Sequence, residues 1–70
     1  MRDIYAGMML LFPVGKGMIG WVVDSETVIY RPHNIPLMCN KVEWSNGVIT
    51  YEVVNNIHLY HQRWLEISNG

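Results

Sequence analysis

Three histidines, one cysteine and a few carboxylates are the side chains of this sequence whose types could do chemistry. His58 and His61 lie three apart, the spacing that places two imidazoles on one face of a helical turn, and His33 would supply a third metal ligand. Their segment offers no cysteine or carboxylate to complete a coordination shell. They therefore read as partly exposed loop histidines beside Tyr60, and no metal is predicted. Cys39 could serve as a nucleophile if a histidine acted as its base. Its neighbours Leu37 and Met38 predict instead a small buried hydrophobe, the commoner fate of a free cysteine. Glu43, Glu52 and Glu66 would have to converge to act as acid and base, and two of them fall on a predicted solvent face. Gly15-Lys16-Gly17 lacks the second spaced glycine, the Lys-Ser/Thr pair and the following helix of a phosphate cradle, and reads as a turn. No catalytic residue and no cofactor are predicted, and the chain is read as non-enzymatic.

The aromatic residues carry a stronger signal. Trp44 and Tyr51 are expected to fill the core, which leaves Tyr5, Trp21, Tyr30, Tyr60 and Trp64 in excess of what so small a domain can bury. Tyrosine and tryptophan join large apolar area to a polar handle and favour interfaces. With Arg31 and His33 of the proline-containing loop, the residues Trp21, Tyr30, Tyr60 and Trp64 form the candidate partner-binding set. Met8, Met9, Met18 and Met38 add adaptable apolar surface.

Seventy residues make one domain, spanning 1–70, with a core expected over 7–67 and a frayed tail at 68–70. Half the residues are hydrophobic and only 16% are charged, which excludes disorder and favours an apolar outer patch. A net charge of -1 offers no general attraction to polyanions and disfavours nucleic-acid binding. The longest apolar run, Ala6 to Val14, is interrupted by Pro13 and falls short of the ~20 residues of a membrane span. Arg2 is cancelled by Asp3 ahead of that run, so no signal peptide is read and a cytoplasmic location is expected.

The elements that must position these residues are mostly strands. In Lys41 to Val53, Asn46-Gly47 predicts a two-residue type I′ turn. Closing the hairpin there sets Trp44 opposite Ile49, Val42 opposite Tyr51 and Lys41 opposite Glu52. The core face then carries Val42, Trp44, Ile49, Tyr51 and Val53, and the solvent face Lys41, Glu43, Thr50 and Glu52. Met8 to Phe12 reads as a buried strand and Met18 to Val23 as another, with Gly20 marking a bulge or a close approach. Asp24 to Thr27 reads as a turn, Val28 to Tyr30 as a short returning strand, and Arg31 to Pro36 as loop. Asn55 to His61 is expected to hold a single 3₁₀ turn, and Trp64 to Ile67 a last strand. Roughly five or six short antiparallel strands without a long helix predict an all-β, closed or nearly closed barrel.

Gly7, Gly17-Met18-Ile19-Gly20-Trp21-Val22-Val23, Val42-Glu43-Trp44-Ser45-Asn46-Gly47 and Trp64-Leu65-Glu66-Ile67 together resemble the strand layout of small SH3-like barrels of the KOW type and related bacterial or phage modules. The resemblance covers most of 7–67 and implies a module that binds a protein or, alternatively, a nucleic acid. The Val28-to-Cys39 insertion departs from that layout, and the basic loop residues of RNA-binding members are absent. A stand-alone chain of this type also resembles the accessory proteins with which phages bind and inhibit host proteins. Ile19-Gly20-Trp21 and Val48-Ile49-Thr50-Tyr51 are similar to strands of the plasmid-encoded type II dihydrofolate reductases. Ile49 stands where that family's functional V-Q-I-Y strand has glutamine, so the folate and nicotinamide contact is missing. The expectation is a non-catalytic module with a protein partner and a tendency to form homo-oligomers, dimers first.

Overall fold

The computed structural model describes residues 4–13, 17–30 and 36–69, with the Tyr30 side chain left out. Four strands and one helix follow one another: β1 (Met9–Phe12), β2 (Met18–Tyr30), β3 (Pro36–Trp44), β4 (Ile49–Glu52) and α1 (Val54–Asn69). The strands form one antiparallel sheet in the order β1-β2-β3-β4, a meander in which each strand pairs with the next.

The sheet is antiparallel and β-rich as expected, but among the described residues it has four strands rather than five or six. β1 and β4 do not pair to close a barrel, and a helix follows, so the chain is not all-β. The 3₁₀ turn and final strand expected beyond Val53 are one 16-residue helix. Ile57, Tyr60, His61 and Trp64 recur at helical spacing with no glycine or proline between Val53 and Asn69. Ile57 and Tyr60 pack against the sheet, and Ser68 and Asn69 belong to the last turn.

Asp24 to Thr27 is likewise no turn. β2 runs through it and absorbs the irregularity as register shifts between Val22 and Asp24 and between Asp24 and Thr27. The second half of β2 pairs with the first half of β3, from Thr27 opposite Cys39 to Tyr30 opposite Pro36. Pro36 is tolerated as the first residue of its strand.

The β3–β4 hairpin is present one residue out of the expected register. Glu43 faces Ile49, Val42 faces Thr50, Lys41 faces Tyr51 and Asn40 faces Glu52. The loop is Ser45-Asn46-Gly47, closed by Gly47 N–H donating to the Trp44 carbonyl at 2.8 Å and Trp44 N–H to the Val48 carbonyl at 2.9 Å. Gly47 takes the left-handed conformation (φ 88°) that ends a three-residue hairpin loop. The Asn46 side-chain oxygen accepts from Val48 N–H at 3.0 Å, holding the loop from within. A one-residue slip exchanges the faces of a strand. Thr50 and Glu52 therefore point to the helix side, while Ile49 and Tyr51 stand outside.

The core lies between sheet and helix and comprises Met8, Leu10, Val22, Val42, Trp44, Ile57 and Tyr60. Leu10, Gly20 and Trp44 form one cross-strand row. The close approach anticipated at Gly20 is to a ring and not a backbone. A Cβ there would come within 2.8 Å of Cζ3 and 2.9 Å of Cδ2 of Trp44. No helix among the described residues is long and apolar enough to cross a membrane.

Candidate functional site

Alternation along the strands gives the sheet two unlike faces. Leu10, Val22, Val42 and Trp44 face α1 and are buried. On the other face β1 contributes Met9 and Leu11, β2 Ile19 and Trp21, β3 Lys41 and Glu43, and β4 Ile49 and Tyr51. α1 occupies only the first face. Ile19, Ile49 and Tyr51 are consequently 45%, 47% and 46% exposed, and Met9, Leu11 and Trp21 are half-buried. Trp21 faces Met9 on one side and Glu43 on the other, with Ile49 next in the same row. The result is an apolar surface carrying one cation and one anion.

The helix side holds a second feature. α1 packs mainly on β1 and reaches β3, leaving the β4 margin of that face uncovered. A groove of about 230 Å³ lies there, lined by Phe12, Met18, Trp44, Asn46, Val48, Thr50 and Glu52, and the surface it exposes is almost wholly apolar. A hydrogen-bond chain runs along one wall. Trp44 Nε1–H donates to Thr50 Oγ1 at 2.8 Å, Thr50 O–H donates to Glu52 Oε2 at 2.7 Å, and Asn56 Nδ2 donates to Glu52 Oε1 at 3.3 Å. Behind it, Phe12, Trp44 and Tyr60 meet edge to face, with centroids 5.4 to 5.8 Å apart. Burial first, and the Glu52 carboxylate second, push the Tyr60 phenol above its ordinary pKa.

The structure distributes the predicted partner-binding residues rather than gathering them. Trp21 lies on the helix-free face. Tyr60 lies in the core beneath α1, on the opposite side of the sheet. Trp64 stacks on His61, 6.4 Å between centroids and 11° between planes. Arg31 and His33 are outside the described residues, as are residues 14–16 of the expected Gly-Lys-Gly turn, and the Tyr30 side chain is not described.

His61 has a local task. Its Nδ1 lies 2.8 Å from the Met9 carbonyl, and since a carbonyl only accepts, Nδ1 carries the proton of that bond. β1 is an edge strand, so His61 satisfies a carbonyl that no strand pairs. Among the described residues no three His, Cys, Asp or Glu side chains converge as metal ligands. Cys39 is buried within β3. Sequence reasoning missed the groove because it placed Thr50 and Glu52 on the solvent face. A three-residue loop at Ser45-Asn46-Gly47 was the alternative closure that would have found it.

No family model, no curated protein and no solved structure matches this chain.

Proposed function

We propose that this chain is a non-catalytic protein-binding module whose docking surface is the helix-free face of the sheet, and that this face pairs with a second copy when no other partner occupies it. The observation that supports the reading is the exposure of Ile19, Ile49 and Tyr51 around half-buried Trp21, Met9 and Leu11 on one continuous face. An antiparallel sheet that ends at water ordinarily carries polar side chains on that side. This one carries Lys41 and Glu43 among six apolar or aromatic residues, a composition closer to an interface than to a solvated surface. The resemblance of the first strands and the β3–β4 hairpin to SH3-like modules points the same way, because such modules mostly bind other chains. A phage accessory protein directed at a host protein is one setting in which a module of this size acts by binding alone.

The test compares the native chain with an Ile19→Glu, Ile49→Glu double variant that keeps the native circular dichroism spectrum. Capture from lysate should yield a protein that the native chain retains and the variant loses. Retention of the same protein by both, or binding to nucleic acid with a steep salt dependence instead, would overturn the reading.

A further inference from the structure

The two edges of the sheet are not alike. The β1 edge is occupied: α1 packs against that strand, and His61 satisfies the outward carbonyl of Met9. β4 is the other edge. Among the described residues no strand pairs with its outer side, and α1 packs on β1 and β3 instead.

Hairpin geometry fixes which backbone groups lie along that open edge. Trp44 N–H donates to the Val48 carbonyl, so Val48 occupies a hydrogen-bonded position facing β3. Bonded and non-bonded positions alternate along an antiparallel pair. Thr50 opposite Val42 and Glu52 opposite Asn40 therefore turn their backbone groups toward β3. Ile49 and Tyr51 turn both N–H and C=O away from the sheet. Edges are ordinarily blunted by proline, lysine or a bulge. Ile49–Glu52 contains neither proline nor lysine, and its register with β3 is unbroken. Isoleucine, threonine and tyrosine are moreover strand formers. Two donors and two acceptors in alternation along an extended chain are complementary to another extended backbone.

We propose that the outer edge of β4 receives an extended segment of a partner protein as an added antiparallel strand. Two partner residues, opposite Ile49 and Tyr51, exchange main-chain hydrogen bonds with them and share the helix-free side with their side chains. The residue between them stands opposite Thr50 and directs its side chain to the helix side. There Phe12, Trp44, Val48 and Thr50 help to line the apolar groove, so the segment is apolar at that middle position. The proposal takes from the reading above only that the partner is a protein. It needs the backbone of β4 and not the Ile19 side chain, so each can fail alone.

The probe is the blocked pentapeptide acetyl-Ser-Thr-Ile-Thr-Ser-amide, titrated against the isotope-labelled full chain at a fixed low concentration. The readout is the amide resonances of Ile49 and Tyr51 and their exchange with solvent. The expected result is a saturable shift and slower exchange at both amides, with the β1 amides unmoved. The same peptide methylated on both threonine nitrogens has lost its donors and should bind about tenfold or more weaker. Serine in place of its isoleucine should weaken binding by about tenfold, from lost apolar burial. Tyr51→Pro removes one outward donor without touching the β3 ladder, and should weaken binding in the same way. If that variant does not fold, the methylated peptide still removes bonds from the ligand side. Equal binding of the methylated peptide, or no saturable shift at millimolar peptide, would overturn the proposal. Protection of Ile49 and Tyr51 that rises with chain concentration, without peptide, would assign the edge to a second copy and overturn it too.

Discussion

Trp44 is the residue on which the helix side of the sheet is organised. Its ring lies against Gly20, its edges meet Phe12 and Tyr60, and its indole N–H is satisfied by Thr50. Gly20→Ala should destabilise the domain by about 1–3 kcal/mol, because a new methyl must displace a ring already packed on other sides. Chemical denaturation measures this, and an unchanged midpoint would mean that the ring is free to move. Thr50→Val keeps the shape but removes both the acceptor for the indole and the donor to Glu52. A loss of about 1–3 kcal/mol is expected, whereas Ile49→Ser on the outer face should cost much less. The reverse order would restore the two-residue turn and its register. Tyr60 gives a pH signature. Its phenol is held above the ordinary value, so its contribution to stability is fully present below pH ~10 and is lost as pH rises toward the folded-state pKa. Tyr60→Phe should flatten that alkaline loss of stability, seen as a smaller decrease in denaturation midpoint between pH 9 and 11.

The elements differ in how openly the sequence declares them, and the reason is physical. Val42 and Trp44 were recognisable as core because strand periodicity and residue type agree on β3. The face of β4 was not, because it depends on one residue of loop length. Asn46-Gly47 is compatible with a two-residue turn and equally with the end of a three-residue loop, and the Asn46 side chain bonding Val48 N–H stabilises the latter. β4 then points Thr50 and Glu52 inward, where Trp44 and Asn56 give them partners that no pattern of hydrophobicity reveals. The candidate groove was invisible for the same reason. α1 was concealed by its start. The residue before it is Val53 and not a capping Ser, Thr, Asp or Asn, and Asn55-Asn56 reads as a loop when taken alone. Packing of Ile57 and Tyr60 overrides those weak local preferences. Ile57→Ala, at a fully buried position, should cost about 2–5 kcal/mol and reduce helical ellipticity before the strand signal is lost. An exposed-residue cost of a few tenths of a kcal/mol would contradict the packing of α1 on the sheet.

At the scale of the whole molecule the described residues form two layers, with extents of 43 × 28 × 17 Å, and none of the described elements packs on the side of the sheet away from α1. A second copy is suited to cover that side. A two-fold axis parallel to the sheet and perpendicular to β3, lying just outside the helix-free face at the level of Val42, would lay β3 antiparallel over its counterpart. That operation places Lys41 of each copy over Glu43 of the other, while Trp21, Ile19, Ile49 and Tyr51 become enclosed around them. Neither Lys41 nor Glu43 takes part in an ion pair within the described residues, so each is open to such an exchange. The surface is thus complementary to itself in charge as well as in polarity, the condition for an isologous dimer. Sedimentation or light scattering over a concentration series should show a monomer–dimer equilibrium. Glu43→Lys should weaken it by opposing like charges, and Lys41→Glu combined with Glu43→Lys should restore it, because the exchanged pair has the same complementarity. Restoration separates the dimer from simple hydrophobic clumping, which neither charge variant would move in this order. A monomer mass at every concentration, or a double exchange no better than the single reversal, would remove the second copy as the occupant of this face.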